Sequence, residues 1–220
     1  AESPRLWYLE YKATLKELGL WELKLVPGMC RAFHPNGELR AVVCIHVDDT
    51  RYAGDSTAQE LWDELHKRLK FGALRKATDG WQKFCGRWER QDPQTFEFYY
   101  SMDEYVKKIP EISKVTVEFN GKILTDPIKK EIGSLLGQIS WAGRQGRPDL
   151  MYGVSHCQQL AGLGDPEAIV WLKRLLQRAR QSMEVKIGQL GCGLDEVIVV
   201  SASDAAFAAQ PRHGSQGGVT

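Results

Sequence analysis

The stretch AVVCIHVDDTRYAGD, residues 41–55, runs from an apolar segment directly into two adjacent aspartates. Residues 41–47 are apolar at nearly every position, which is typical of a central strand, so Asp48 and Asp49 are expected at the end of a buried sheet. Aspartate is also common in turns, where its side chain bonds nearby backbone amides. The stretch alone therefore leaves open a plain hairpin tip and a functional pair of carboxylates.

The functional interpretation is a site for a hard cation. Neighbouring residues of a strand point to opposite faces, so one carboxylate would be the main ligand and the other its neighbour. Mg²⁺ commonly takes one or two protein carboxylates and completes its shell with water and phosphate. Two metal ions held in this way activate a hydroxyl and stabilise a departing pyrophosphate.

Composition narrows the class of protein. The chain has 220 residues, 43% of them apolar, and a formal net charge of +1, so any binding of nucleic acid has to come from local patches. Its five cysteines form no Cys-x-x-Cys pair, which argues against a disulfide framework or a zinc site and favours an intracellular, non-secreted protein. No run of the sequence is long and apolar enough to predict a membrane span.

Outward from the opening stretch, the patterns predict an α+β chain. A helix over residues 3–18 and a hairpin with its turn at residues 35–37 precede the aspartates, and a helix with a capping box at Thr57 and Glu60 follows. Strands are predicted over 81–100 and an extended or loop segment over 114–125. The remaining predictions are three helices up to residue 183, with inward positions Ile128, Ile132, Leu135, Leu136, Ile139, Ile169, Leu172, Leu176 and Ala179, and then more strands.

Several blocks of the sequence resemble the reverse transcriptases of copia-type retrotransposon Pol polyproteins. HVDD followed by YAGD resembles the Tyr-x-Asp-Asp motif. The other blocks follow in the family's order, and they are SPRLWY in the palm helix, FCGRWE in the primer grip, SMDEYVKKI, the thumb segment IGSLLGQISWAGRQGRPDLMYGVS, and SASDAAFAA with GSQGG at the start of RNase H. Together these blocks cover nearly the whole chain.

The resemblance implies a fold and a domain order. The fold would be a partial reverse-transcriptase palm, with an antiparallel sheet and helices, then a helical thumb, then the first strands of an RNase H-like domain. The implied boundaries are 1–112 for the palm with its primer-grip hairpin, 113–183 for the thumb and 184–220 for the start of RNase H. The fingers, the first palm strand with a third catalytic aspartate, and the remaining RNase H carboxylates would lie outside the chain, whose two ends both look cut.

The resemblance also implies the site residues, residue by residue. Asp48 and Asp49 match the catalytic pair, with Asp48 as the main ligand of Mg²⁺ or Mn²⁺, and Asp204 matches the first RNase H metal ligand. The partners would be an RNA/DNA primer–template, a deoxynucleoside triphosphate and the rest of the polyprotein, with no membrane. The residues implied to contact nucleic acid are Ser3, Pro4, Arg5, His46, Phe84, Cys85, Gly86, Arg147, Lys173, Arg174 and Arg178.

Each of these residues also has a structural interpretation. Ser3 caps a helix on either view, and residues 84–86 can be a strand with a glycine bulge. Arg147 either contacts a phosphate or joins Asp149 near a helix start, and the basic set at 173–178 is either a phosphate-binding line or a solvated helix face.

The sequence departs from the family pattern at the motif itself. His46 replaces the usual tyrosine, Thr50 and Arg51 replace an apolar pair, and Ala206 replaces an aspartate of the RNase H block. These departures keep open two alternatives to an active polymerase segment. One is a module that binds nucleic acid without chemistry, and the other is a decayed retroelement.

Overall fold

The computed structural model describes residues 3–47, 49–188, 203–210 and 214–219, with side chains for residues 5–47 and 49–188. The described part contains seven α-helices and ten strands, and all strand pairs are antiparallel, so the predicted α+β class is confirmed. The chain divides into two compact units, residues 1–76 and 77–220. No helix in the described ranges is long and apolar enough to cross a membrane.

The first unit is a four-stranded sheet with two helices. Its strands stand in the order β1-β2-β3-β4. Along the chain the elements are α1 Ser3–Glu17, β1 Trp21–Leu23, β2 Val26–Phe33, β3 Leu39–His46, β4 Asp49–Gly54 and α2 Gln59–Arg68. The predicted helix and the hairpin around residues 35–37 are therefore confirmed, and β3 is an inner strand of the sheet, as its apolar sequence predicts.

Both helices of this unit pack on one face of the sheet. The buried strand residues alternate along β2 and β3, and the register Cys30↔Val43 and Ala32↔Ala41 puts them on the same face. They form one core with residues of the two helices, namely Tyr11, Leu15, Leu61, Trp62 and Leu65. Among the side chains that the structure describes in this unit, none on the opposite face of the sheet is buried.

Helix α1 ends as its sequence predicts. Gly19 has a φ of +82°, a conformation that glycine adopts without steric cost. The amide of Gly19 donates to the Lys16 carbonyl at 3.0 Å, and that of Leu20 donates to the Leu15 carbonyl at 2.8 Å. This pair of hydrogen bonds is a Schellman cap, and it turns the buried Leu20 back into the core.

The start of α2 differs from the predicted capping box. Asp55 accepts hydrogen bonds from the Thr57 amide at 2.8 Å and the Thr57 hydroxyl at 2.7 Å. A short 3₁₀ turn, Ser56–Ala58, follows before α2 begins. Because Asp55 and the Arg40 guanidinium already occupy the Thr57 side chain, the prediction that Thr57 and Glu60 cap the helix is wrong.

The second unit combines a sheet with a helical bundle. Its sheet has the order β5-β6-β7-β8, and a separate pair of strands, β9 and β10, lies near the end of the chain. The elements are β5 Gln82–Phe84, β6 Arg87–Gln91, β7 Phe98–Ser101, α3 Asp103–Lys107, α4 Lys114–Val117, α5 Asp126–Gly146, α6 Met151–Leu163, α7 Glu167–Ala179, β8 Glu184–Ile187, β9 Ser203–Gln210 and β10 Gly214–Val219.

Helices α5, α6 and α7 share one apolar core, and all nine positions predicted to point inward are buried in it. The prediction of loop over 114–125 is wrong for its first residues, because Ser113 caps the short helix α4. Ser113 accepts from the Thr116 amide, while Glu131 accepts hydrogen bonds from the Ser113 amide and hydroxyl and from the Thr116 hydroxyl.

Contacts within this unit cross the predicted domain boundaries. Met102, Val106 and Ile109, on the palm side of residue 112, belong to the same core as the three long helices. Strand β8, on the RNase H side of residue 183, pairs with β7 in the register Tyr100↔Val185. The boundaries at 112 and 183 stay predictions.

Arg147 joins the end of α5 to the end of α7. Its side chain is buried, and its guanidinium makes two parallel hydrogen bonds to the Asp149 carboxylate at 2.9 and 3.0 Å. The remaining hydrogen bonds go to the carbonyls of Ala179 at 2.9 Å, Arg178 at 3.0 Å and Gln181 at 3.1 Å. Arg147 thus satisfies the carbonyls at the end of α7, and its guanidinium holds the pKa of Asp149 below its usual range.

We predict that Arg147→Ala lowers the free energy of unfolding of this unit by about 3–5 kcal/mol, because it leaves buried carbonyls without donors and one side of Asp149 without its cation. Urea denaturation followed by circular dichroism measures the effect. Arg144→Ala, at an exposed arginine of the same helix, is the matched control and should change stability little. Equal effects of the two substitutions would contradict the structural role.

Glu22 fastens β1 to α1 and β2. Its carboxylate accepts hydrogen bonds from Lys12 Nζ, from the Tyr8 hydroxyl at 2.8 Å and from the Gly28 amide at 2.9 Å. These donors, Lys12 first, lower the pKa of Glu22 from 4.5 to about 2. The ionised carboxylate is therefore the form that the folded unit stabilises.

We predict that Glu22 contributes to acid sensitivity. Its stabilisation is full above pH 4.5, its pKa in an unfolded chain, and is lost as pH falls toward the folded pKa of about 2. Glu22→Gln should therefore flatten the loss of stability over this range in thermal unfolding. Glu10→Gln, an exposed glutamate of α1, should retain the dependence of the unsubstituted protein.

Candidate functional site

The β3–β4 hairpin closes beyond the pair His46↔Asp49, which is the last pair of its ladder. The expectation that Asp48 and Asp49 form the hairpin tip is wrong for Asp49, because Asp49 is already the first residue of β4. Val47 has a φ of +56° and is 68% exposed, whereas Asp48 lies outside the described residues.

The alternation of the strands decides which side chains accompany Asp49. The pairs His46↔Asp49 and Cys44↔Arg51 place these four residues on the sheet face that faces away from the two helices. Asp49 is exposed, and no described residue donates a hydrogen bond to its carboxylate. A carboxylate in this position fits a cation ligand, with the Arg51 side chain on the same face.

The opposite face of β4 is anchored to α2. The Tyr52 hydroxyl lies 3.0 Å from His66 Nε2, and the Tyr52 ring lies 4.3 Å from the Trp62 ring, centroid to centroid. The hydroxyls of Tyr11 and Thr50 are also buried on this face, and burial raises the pKa of Tyr11 to about 12. These contacts hold the edge strand that carries Asp49, and sequence reasoning did not identify them.

Cys44 is a neighbour of the candidate site and not a candidate nucleophile. Burial raises the pKa of its thiol, and Arg51 only partly opposes that shift. A thiol in this state is mostly protonated at neutral pH.

The predicted primer-grip residues form a second hairpin. Phe84 pairs with Arg87, and Cys85 and Gly86, with φ of +48° and +85°, make its two-residue turn. Two positive φ angles are the signature of a type I′ turn, which replaces the bulge considered from the sequence. The turn exposes Gly86 and half-buries Phe84 and Cys85.

The tip of this hairpin lies beside α5. A Cβ added to Gly86 would stand 3.8 Å from the indole nitrogen of Trp141, and the Arg87 guanidinium donates to the Gln145 carbonyl at 3.4 Å. Trp141 is 39% exposed. Sequence reasoning missed Trp141 as a residue of this hairpin site. The signal that could have identified it is that Trp141 is the one aromatic residue of α5 and lies off the buried face of that helix.

The structure separates the predicted basic residues. For Arg147 the structural interpretation holds. It pairs with Asp149, and its guanidinium is buried and makes all of its hydrogen bonds within the fold. Arg178 is bonded to Asp149 at 3.0 Å and to Gln181 at 2.9 Å, while its side chain remains 55% exposed. Lys173 and Arg174 lie exposed on α7.

The remaining predicted residues are placed only in part. Ser3 and Pro4 begin α1, with their side chains outside the described set, and Arg5 follows as an exposed residue of its first turn. Asp204 lies on β9 opposite Gly218, and its side chain also lies outside the described residues.

The described side chains form no cluster of three or more His, Cys, Asp or Glu residues that could hold a metal ion together. Cys157 lies in the core of the helical bundle and donates to the Ala168 carbonyl at 3.2 Å. Its neighbour His156 packs against the rings of Tyr152 and Trp171.

No protein-family model, no curated protein sequence and no solved structure matches this chain.

We predict that Val47→Gly stabilises the first unit by about 1 kcal/mol, because a β-branched residue is strained at a φ of +56°. Chemical denaturation measures the change. Val42→Gly, at a regular position of the preceding strand β3, should instead destabilise the unit. If both substitutions destabilise alike, the turn is not strained.

Proposed function

We propose that the chain is part of an RNA-directed DNA polymerase of a copia-type retrotransposon, with an adjoining start of RNase H. The observation that carries this proposal is the β3–β4 hairpin. An apolar inner strand ends at His46, Val47 follows with a left-handed backbone, and Asp49 stands exposed on the helix-free face of the sheet. The order of the sequence blocks around this hairpin supports the same proposal.

In this proposal Asp48 and Asp49 hold Mg²⁺ or Mn²⁺ beside a bound nucleoside triphosphate. The exposed Asp49 carboxylate, which no described residue occupies, fits such a role. When bound, the metal ions would lower the pKa of the primer 3′-hydroxyl and neutralise the charge of the phosphates. The primer 3′-hydroxyl gives up its proton to solvent, its oxygen bonds to the α-phosphorus, the α–β phosphoanhydride bond breaks, and pyrophosphate leaves.

Other residues would position the substrates. His46 lies on the face of Asp49, where its ring can contact the primer end, and the turn of Phe84, Cys85 and Gly86 with Trp141 would hold the primer. Lys173 and Arg174 on α7 would contact backbone phosphates. We do not assign Arg147 to this surface, because its guanidinium is used within the fold.

One observation favours a second candidate, a module that binds nucleic acid without catalysis. Arg51 shares the face of Asp49, two residues along the same strand. A guanidinium there offsets the charge that attracts a divalent cation. In this alternative the hairpins would still contact primer–template, and the carboxylate pair would have no chemical role.

We predict Mg²⁺-dependent primer extension on an RNA template by a longer chain that includes the predicted upstream palm. Asp48→Asn and Asp49→Asn should each reduce extension to background, because each removes a metal ligand. Asp63→Asn, at an exposed aspartate of α2, is the matched control and should leave extension unchanged. No extension by the longer chain, with primer–template binding retained, would favour the non-catalytic module.

A further inference from the structure

A row of aromatic rings crosses from α6 to α7 on the surface of the helical bundle. The rings of Tyr152 and His156 are parallel within 3°, with centroids 6.1 Å apart. The His156 ring meets the Trp171 ring at 4.6 Å with an interplanar angle of 70°. Arg174 lies over Trp171 at 5.9 Å from the ring centroid. We call Tyr152, His156 and Trp171 the aromatic row.

The aromatic row is partly open to solvent. Tyr152 is 59% exposed, and His156 and Trp171 are half-buried. Trp171 is held by its neighbours, since it packs against the bundle core and its indole nitrogen donates to Glu167 at 3.3 Å. A fixed, exposed ring loses little conformational entropy when a flat ligand stacks on it.

The charges nearest the aromatic row belong to α7. Helix α6 contains no Asp, Glu, Lys or Arg, whereas Glu167 accepts the hydrogen bond of the Trp171 indole and Arg174 lies over the Trp171 ring. Lys173 lines a different part of the surface together with Glu111, and Arg178 pairs with Asp149. The row therefore offers ring faces next to one cation, Arg174, which suits a ligand that has flat rings with negative charge beside them.

We propose that the aromatic row is a stacking site for unpaired bases of a single-stranded nucleic acid, with Arg174 on the adjoining phosphate. The choice of nucleic acid over an acidic peptide rests on the proposed function, and the rings favour it because every base has a face to stack. The aromatic row supplies the base-dependent part of binding, and Arg174 supplies the charge-dependent part.

The test compares the binding of two single strands to the 220-residue chain. Fluorescence anisotropy measures the dissociation constants of a labelled oligothymidylate and of an abasic strand of equal length and charge. Tyr152→Ala should weaken binding of the oligothymidylate about tenfold and that of the abasic strand little. Tyr152→Phe, which keeps the ring, and Trp171→Phe should retain most of the affinity, provided circular dichroism shows both variants folded.

Arg174→Gln should weaken the binding of both strands by the same factor and reduce the slope of log affinity against log salt concentration by about one. The matched control for the ring is Phe96→Ala, since Phe96 is 56% exposed in the β6–β7 connection of the same unit, and it should leave both affinities unchanged.

Three results would overturn the proposal. They are equal binding of the two strands by the unsubstituted chain, an unchanged affinity in Tyr152→Ala, and displacement of the oligothymidylate by polyglutamate as efficient as by unlabelled strand. None of these measurements uses catalysis. If primer extension fails but binding at the aromatic row depends on the bases, only the proposed polymerase function is rejected. If primer extension succeeds but binding does not depend on the bases, only the proposed stacking site is rejected.

Discussion

The period-two alternation of β3 and β4 is the constraint on which the first unit depends. A strand in this sheet can bury only every second side chain, and Ala41 and Val43 use that face to pack against α1 and α2. Cys44, His46, Asp49 and Arg51 are thereby left on the other face. The separation of core from candidate chemistry follows from this pairing, because a shift of one residue would exchange the two faces.

The second unit depends on a polar contact at the end of its bundle. Packing of α5, α6 and α7 buries apolar side chains but cannot satisfy the last carbonyls of α7, whose helix has ended. Arg147 donates to these carbonyls and to Asp149 at once. Arg147, predicted to contact phosphate, therefore uses its hydrogen bonds within the fold. The exposed cations that remain on α7 are Lys173, Arg174 and Arg178, of which Arg178 is paired with Asp149.

Both hairpin tips contain residues with positive φ angles. Val47 at one tip, and Cys85 with Gly86 at the other, adopt left-handed backbone conformations, which are common in hairpin turns. At both tips a non-glycine residue accepts this strain, and such strain persists only where the surrounding structure holds it. The hydrogen-bonded ladders on each side supply that support.

The sequence by itself determined the α+β class, most helix and strand locations, and the inward faces of the long helices, because these follow from local periodicity and from caps such as Gly19. It also identified the hairpin that carries Asp49, since an apolar run ending in charge is a local signal. Only the tertiary structure decided that Asp49 opens β4, that Asp55 replaces the Thr57 cap, that Arg147 is buried, and that Trp141 stands beside Gly86. Each of these depends on a partner distant along the chain or on the register of a turn, and neither is encoded in the spacing of neighbouring residues.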